Sequence, residues 1–414
     1  MKSKFYELST QQRLQELQKA GYLTMDDLQL LIEQPALPEV VASNLVENQI
    51  GSYPLPLGLA TNFLIDGKQY LIPLATEEPS VVAAASNAAK RSQASGGFQT
   101  RVQRQGLSAQ VVFQGQLTDA QVFLQQHLAK IKQIAHQAHP SLQEHGGGLR
   151  QVSVQNIVDY VEFNLLIDTG EAMGANIVNT IAEAIGDYLQ QQLPQLSLLM
   201  AILSNDAPTQ MANASTKIAF DQLATADLSG QQVAQKISAA SDFAQISPQR
   251  AATQNKGIMN SIEALILATG NDTRNVNAAA YSVLNDTRKT WSNWHVVDQY
   301  LVGEISLPLP LGVVGGAIST LPLAQLNLRL LQNPSAEQLM GITAAVGLAS
   351  NLAALRALVT QGIQAGHMNL QLQSLALMAG ATALEVDTLT EQLRKQAKQA
   401  NLTLAKKLLA KLRN

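Results

Sequence analysis

The order of apolar patterns between residues 104 and 205 constrains the fold of this chain most strongly. Four runs there carry the alternating or β-branched residues typical of strands: 109–114, 150–156, 160–167 and 198–203. Two longer stretches with helical character lie between them: 118–137 and 175–192. The order strand–helix–strand–strand–helix–strand predicts a small ferredoxin-like unit.

The regions on either side of this unit read as helices with short strands, over residues 1–103 and 206–362. Because neither region forms an obvious domain alone, we expect one large, mainly helical domain into which residues 104–205 are inserted. The remaining residues, 363–414, are helical and increasingly basic, and they are expected to form a third unit. The predicted fold class is α+β.

Composition narrows the possible functions. The chain of 414 residues has 46% hydrophobic but only 4% aromatic residues, so its core must be mostly aliphatic. It has no cysteine, which excludes disulfides, thiolate nucleophiles and cysteine-based metal sites. The net charge of -3, without a basic block, disfavours nucleic-acid binding. We find no histidine or carboxylate cluster with metal-ligand spacing, no signal peptide and no transmembrane run, and we expect a cytoplasmic protein.

Four polar residues, far apart in sequence, lie inside short unusual motifs. They are Glu78 in Ala-Thr-Glu-Glu-Pro-Ser, Lys256 in Asn-Lys-Gly-Ile-Met-Asn, Asp272 in Ala-Thr-Gly-Asn-Asp, and His367 in Gly-His-Met. Two carboxylates, a lysine and a histidine are sufficient to polarise a carbonyl, move protons and protonate a leaving group. The small polar neighbours of Lys256 are typical of a loop crowded against a ligand.

Each motif also has a purely structural interpretation. Glu78 could belong to the acidic first turn of a helix that begins near residue 80, and Asp272 could be a helix N-cap. Lys256 and His367 could be exposed surface residues. If residues 258–269 form one straight helix, Lys256 and Asp272 lie on the order of 15 Å or more apart. They would then meet through a bent helix or across a subunit interface.

With a fifth segment, Glu-Ala-Met-Gly-Ala-Asn at 171–176, these motifs resemble one family closely, over residues 47–368. The chain resembles a bacterial, class II hydroxymethylglutaryl-CoA (HMG-CoA) reductase. The resemblance implies two-step reduction of HMG-CoA to mevalonate and CoA with NADPH or NADH. It also implies a homodimer with the active site at the interface, possibly assembled further, and a C-terminal flap over the site.

The resemblance also assigns roles to residues. It implies that Glu78 is the catalytic acid, that Lys256 stabilises the oxyanion, and that Asp272 holds Lys256 charged and tunes Glu78. His367 is expected to protonate the CoA thiolate. The positions expected to contact the substrate are Ser80, Arg250 and Asn260.

The expected dinucleotide site does not have the Rossmann pattern. No Gly-x-Gly-x-x-Gly motif occurs, and the glycine-rich segment 312–316 lacks that spacing. The segment 171–176 instead precedes a long helix, whose first N–H groups favour a pyrophosphate. The resemblance implies that these positions bind the cofactor: Glu171, Met173, Gly174, Asn176 and Asn205. Arg150 and Gln151 are candidates for reading the adenosine ribose, which leaves NADH or NADPH open.

One segment departs from the family pattern. After the catalytic aspartate, relatives usually read Trp-Arg-Ala, whereas residues 273–281 here read Thr-Arg-Asn-Val-Asn-Ala-Ala-Ala-Tyr. This departure motivates a second hypothesis, a catalytically silent paralogue that binds CoA. A third hypothesis keeps the catalyst but runs the reaction oxidatively, in mevalonate breakdown.

Overall fold

The computed structural model of the protein describes residues 5, 8–33, 37–144, 146–362, 372–382, 384–396 and 399–413. Its strands are β1 Leu57–Ile65, β2 Lys68–Ala75, β3 Phe98–Arg104, β4 Leu107–Gln114, β5 Gly148–Ile157, β6 Tyr160–Asp168, β7 Ser197–Leu203, β8 Gln210–Ala219, β9 Ser292–Val297 and β10 Tyr300–Pro308. The helices before residue 362 are α1 Thr10–Lys19, α2 Met25–Glu33, α3 Glu39–Leu45, α4 Val81–Gln93, α5 Ala120–Ala138, α6 Pro140–Glu144, α7 Ala175–Gln192, α8 Gly230–Ile246, α9 Pro248–Ala268, α10 Thr273–Ser282, α11 Gly316–Thr320, α12 Pro322–Leu330 and α13 Ala336–Val359.

The smaller of two sheets contains β4 to β7. Its strand order is β5-β6-β4-β7, and every neighbouring pair is antiparallel. Helices α5 and α7 pack on the sheet, where Phe113, Phe163 and Ile185 are fully buried in a separate apolar core. This order and connectivity are those of a ferredoxin-like unit, so that prediction is confirmed.

The larger sheet has six strands in the order β2-β1-β3-β8-β10-β9. Its strands come from both sides of the smaller sheet in sequence, because β1 to β3 precede β4 and β8 to β10 follow β7. β1 and β3 are parallel, and the other neighbouring pairs are antiparallel. The sequence indicated only short strands here, whereas β8 has 10 residues and β10 has 9.

Helix α13 is the centre of the large apolar core. It packs against α4, α9 and the larger sheet, and Gly347 allows the side chain of Ile262 on α9 to approach closely. In the described part of the chain it is the one helix long and apolar enough to cross a membrane by length and composition. However, 67% of its most apolar window is buried, which is typical of a core helix.

The C-terminal part contains two helices, Val386–Lys395 and Leu402–Arg413, and residues 372–378 are also helical. Leu389, Leu393 and Leu409 belong to a third apolar cluster formed by these segments. The expected helical character of this region is confirmed within the described residues. His367 lies outside them.

Candidate active site

Glu78 and Lys256 form an ion pair although 178 residues separate them in sequence. Lys256 Nζ lies 2.9 Å from Glu78 Oε2. Glu78 follows β2 in the turn before α4, and Lys256 lies in the middle of α9. Both side chains remain accessible, with 65% of Lys256 and 38% of Glu78 exposed. The pair therefore places an ammonium donor beside a carboxylate, and both are open to a ligand.

The expectation that Lys256 lies in a loop was wrong. Its polar neighbours are helical, and two of them, Gln254 and Asn255, are buried on α9. Asn255 donates a hydrogen bond to the carbonyl oxygen of Lys289 at 2.8 Å. Buried polar side chains with partners of this kind give a helix the composition of a loop.

The three expected substrate-binding residues lie on α9, which carries Lys256, and at the start of α4, which follows Glu78. Ser80 is the N-cap of α4 and has a left-handed backbone, with φ of 77°. Such a conformation in a serine is strained and is often found at ligand sites. Asn260 lies one turn beyond Lys256 on the same face of α9. Arg250 is in the first turn, where burial lowers its pKa and its Nε has no hydrogen-bond partner.

Asp272 lies elsewhere in the chain, as the N-cap of α10. Its Oδ1 accepts hydrogen bonds from the backbone N–H groups of Arg274 and Asn275, at 2.8 and 3.3 Å. The Arg274 guanidinium also donates to both carboxylate oxygens at 3.0 Å. The hydrogen bond from Arg274 is the main reason why the pKa of Asp272 lies below its usual value.

Lys256 lies in the middle of α9, whereas Asp272 follows the C-terminal end of that helix. Residues 256–268 continue as helix, and they span about 18 Å at 1.5 Å per residue. The predicted problem of distance therefore stands, because α9 is not interrupted between them. The structural interpretation of Asp272 as a helix cap is also correct.

A cavity of about 420 Å³ lies beside Asp272. Three segments form its walls: 172–177, 270–274 without residue 273, and 314–318. Of the residues predicted to bind the cofactor, Met173, Gly174 and Asn176 line it. Gly174 precedes α7 with φ of 90°, and a Cβ there would lie 2.3 Å from Thr169 Cγ2. No side chain caps α7, so its first N–H groups are left for an anionic ligand such as a pyrophosphate.

Two buried polar residues hold the walls of this cavity together. Asn271 donates to the Gly312 carbonyl at 3.0 Å and accepts from the Gly312 N–H at 2.9 Å. Arg104 donates to the carbonyl oxygens of Ala172 and Leu311, at 2.9 and 3.4 Å. Sequence reasoning gave neither residue a role, although Asn271 belongs to the Ala-Thr-Gly-Asn-Asp motif.

The glycine-rich segment 312–316 was also missed. It was set aside because it lacks the Rossmann spacing, yet its last three residues line the cavity. A Cβ on Gly312 would lie 2.1 Å from the Met173 backbone nitrogen, so only glycine allows this approach. A glycine-rich segment without a known motif is still a signal that two backbones pack closely.

Two other predicted cofactor residues do not line the cavity. Glu171 Oε2 instead accepts a hydrogen bond from the Ala336 N–H, at 2.7 Å, in the first turn of α13. Asn205 is exposed in the turn after β7. Arg150, a candidate for reading the ribose, pairs with Asp168 at 2.8 Å. Within the described residues, no three histidine or acidic side chains are grouped to hold a metal ion.

The known proteins that are similar to this chain belong to one family. Residues 9–372 match the hydroxymethylglutaryl-coenzyme A reductase family. The 3-hydroxy-3-methylglutaryl-coenzyme A reductase of Archaeoglobus fulgidus is 40% identical over 99% of this chain and 94% of its own length. A probable reductase of the same name from Borreliella burgdorferi is 35% identical over 80% of this chain and 77% of its own.

Solved structures give the same result. The reductase of Streptococcus pneumoniae superposes with a TM-score of 0.81 and 40% identity, over 99% of both chains. A class II reductase structure from that organism, bound to NADPH in open conformations, has the same TM-score over 86% of this chain and 99% of that one. The resemblance predicted from the motifs is confirmed, and the chain belongs to the hydroxymethylglutaryl-coenzyme A reductase family.

Proposed function

We propose that this protein reduces HMG-CoA to mevalonate and CoA, with NADPH as the hydride donor. The ion pair between Lys256 and Glu78 carries this proposal, since it joins the expected oxyanion donor to the expected acid at 2.9 Å. NADPH is preferred to NADH because a relative with 40% identity has been solved with it. The silent-paralogue hypothesis is disfavoured by the assembled pair.

NADPH would be held beside Met173, Gly174 and Asn176, and two molecules bound in turn would supply the two hydrides, one for the thioester carbon and one for the resulting aldehyde. Lys256 donates to the carbonyl oxygen as negative charge develops on it, first on the thioester and then on the aldehyde. The carbon–sulfur bond breaks between these steps, and the departing thiolate takes a proton. We assign the donation of this proton to His367. Glu78 gives its proton to the alcohol oxygen in the second reduction.

We propose that residues 104–205 bind the dinucleotide together with the loops of the large domain. Met173, Gly174 and Asn176 come from this unit, whereas Asp272 comes from outside it, and all four line one cavity. The uncapped first turn of α7 would hold the phosphates. The larger domain, 1–103 with 206–362, would hold the CoA thioester, and residues 363–414 would cover the site.

We further propose a homodimer in which Asp272 of one subunit serves Lys256 of the other. The uninterrupted helix from Lys256 to Ala268 keeps the two side chains apart within one chain. A symmetric dimer would present two equivalent shared sites. A higher oligomer would be an assembly of such dimers.

Mixing two inactive variants tests the shared site. Lys256→Ala and Asp272→Ala are each expected to lack turnover. After dissociation and random re-pairing, half of the dimers are mixed and carry one intact site, so about a quarter of wild-type turnover returns. If each site is built from one chain, no mixture regains activity. If neither single variant loses the oxidation of NADPH with HMG-CoA, that result contradicts the proposed reaction itself.

The role of His367 has a separate test. His367→Ala should slow reduction of the thioester much more than reduction of free mevaldehyde, because only the first reaction releases a thiolate. Both rates are followed by loss of NADPH absorbance. Equal losses on the two substrates would contradict the assignment.

A further inference from the structure

Glu171 stands directly before the residues that line the cofactor cavity, but its side chain contacts another element. Met173, Gly174 and Asn176 belong to the cavity wall. The Oε2 atom of Glu171 accepts a hydrogen bond from the Ala336 N–H at 2.7 Å, at the first residue of α13. The side chain therefore joins the start of this wall to the central helix of the large domain.

This contact completes the N-terminus of α13. Ser335 and Gln338 form a capping box, in which Ser335 Oγ accepts from the Gln338 N–H at 3.2 Å and Gln338 Oε1 accepts from the Ser335 N–H at 3.0 Å. The Ala336 N–H lies outside this box, and Ala336 is 0% exposed. A buried N–H without an acceptor is costly, so the Glu171 carboxylate supplies the partner that water cannot supply. Its negative charge is also favourable at a helix N-terminus.

The backbone around Glu171 is held to the large domain as well. Its carbonyl oxygen accepts from the Val313 N–H at 2.9 Å, and Ala172 forms a parallel β-bridge with Val314. Arg104 donates to the Ala172 carbonyl at 2.9 Å. The Glu171 side chain adds an attachment to α13, which packs against α4, α9 and the larger sheet. Backbone and side chain together therefore fix the first residue of the cofactor loop to the large domain.

The position of the carboxylate also suits an anionic cofactor. Gly174, three residues after Glu171, precedes the uncapped first turn of α7, where the phosphates are expected. A carboxylate that turned toward this site would repel a pyrophosphate. Bound at the N-terminus of α13, the charge faces the positive end of a different helix. The hydrogen bond from Ala336 therefore holds an acidic side chain away from the expected phosphates.

We propose that Glu171 is a positioning residue for the cofactor. Its carboxylate, held by the Ala336 N–H, sets the position of residues 172–176 against the large domain and thereby the affinity for NADPH. This role differs from direct contact with the cofactor, which the motif implied. The inference rests on the proposed function, which places NADPH in this cavity.

Kinetics separate positioning from catalysis. Glu171→Ala should raise KM for NADPH about tenfold, because the loop loses its attachment to α13, while kcat and KM for HMG-CoA stay near wild type. Glu171→Gln keeps an oxygen that can accept from the Ala336 N–H, and it should recover most of the loss. Glu337→Gln is the matched control, since it removes an exposed carboxylate from the same first turn of α13.

A double-mutant cycle separates positioning from direct contact. Ala336→Pro removes the N–H that Glu171 accepts from, and proline is favoured at the first position of a helix. The extended backbone of Ser335 is also the conformation that a following proline requires. If Glu171 acts through Ala336, each single variant raises KM for NADPH about tenfold and the double variant raises it no further. Increases that multiply to about a hundredfold would show that Glu171 contacts the cofactor itself, and would overturn the proposal.

Hydrogen exchange tests the attachment without cofactor or turnover. The backbone amides of residues 172–176 should exchange about tenfold faster in Glu171→Ala than in wild type and in Glu337→Gln, because the loop opens more often. Equal exchange in the three proteins would refute the attachment. Unfolding curves confirm that each variant is folded, and the exchange result decides the inference if Ala336→Pro is not.

The outcomes distinguish this inference from the proposed function. In an active enzyme, an unchanged KM for NADPH in Glu171→Ala overturns the inference and leaves the proposed function intact. If wild type fails to oxidise NADPH with HMG-CoA, the proposed function is wrong. In that case faster exchange in Glu171→Ala still supports the positioning of the loop by Glu171, and equal exchange refutes it.

Discussion

Substitution of Asn271 by alanine tests whether the cavity beside Asp272 depends on a hydrogen-bonded clamp. Asn271 has only 9% of its surface exposed and makes two hydrogen bonds to the Gly312 backbone, at 2.9 and 3.0 Å. The alanine variant leaves the Gly312 N–H and carbonyl unpaired in a buried position. At roughly 1–3 kcal/mol for each group, the free energy of unfolding should fall by about 2–6 kcal/mol.

The variant should also weaken cofactor binding. Gly312 lies against the backbone of Met173, and the Asn271 clamp holds these two walls of the cavity at their spacing. We therefore expect KM for NADPH to rise more than kcat falls. Urea unfolding, followed by circular dichroism, measures the stability. Initial rates at varied NADPH concentration measure the change in KM and the change in kcat separately.

A matched control is Asn213→Ala. Asn213 is partly exposed and makes one hydrogen bond, to the Arg101 carbonyl at 3.1 Å, so its loss should cost about 0.5–1 kcal/mol. Asn271→Asp keeps the acceptor for the Gly312 N–H but loses the donor, and it should fall between wild type and alanine. If Asn271→Ala costs no more than Asn213→Ala, the clamp contributes nothing and the reasoning is refuted.

Two further predictions concern the same cavity. Arg274→Gln removes the main cause of the low pKa of Asp272, so that pKa should rise. The acid limb of the kcat/KM profile should then move to higher pH. An unmoved pH–rate profile would argue against this prediction. Gly312→Ala places a Cβ 2.1 Å from the Met173 nitrogen and should lower the melting temperature strongly. The control Gly257→Ala meets open space on a helix, and its free energy of unfolding should rise by up to about 1 kcal/mol. Equal melting temperatures of the two variants would show that the backbone at Gly312 can move.

Local patterns were sufficient to predict the smaller sheet. Apolar and polar residues alternate along the stretches that form its strands. Helix α7 begins and ends at the predicted residues, Ala175 and Gln192. The larger sheet could not be read in this way. Its neighbours β3 and β8 are separated by more than a hundred residues, and pairing across such a gap leaves no periodic signal in either strand.

The ion pair between Glu78 and Lys256 shows a similar limit. Spacing could not reveal that Glu78 and Lys256 meet, because their contact depends on how α9 packs beside the turn after β2. Only the resemblance joined them in advance. Arg104 and Asn271 escaped prediction for another reason, since they bind backbone carbonyl groups and so have no partner residue that a motif could display.

The charges of the single chain also bear on the proposed dimer. Glu78 is neutralised by Lys256, and Asp272 by Arg274, so each carboxylate already has a cation. Bringing Asp272 to Lys256 across an interface would set two carboxylates beside one ammonium group. The hydrogen bonds from Arg274 hold the pKa of Asp272 below its usual value, which favours the ionised form of Asp272 in that setting. In the proposed dimer Asp272 would then be a fixed negative charge that faces the Lys256 ammonium group, which agrees with the proposal that Glu78, and not Asp272, serves the aldehyde oxygen.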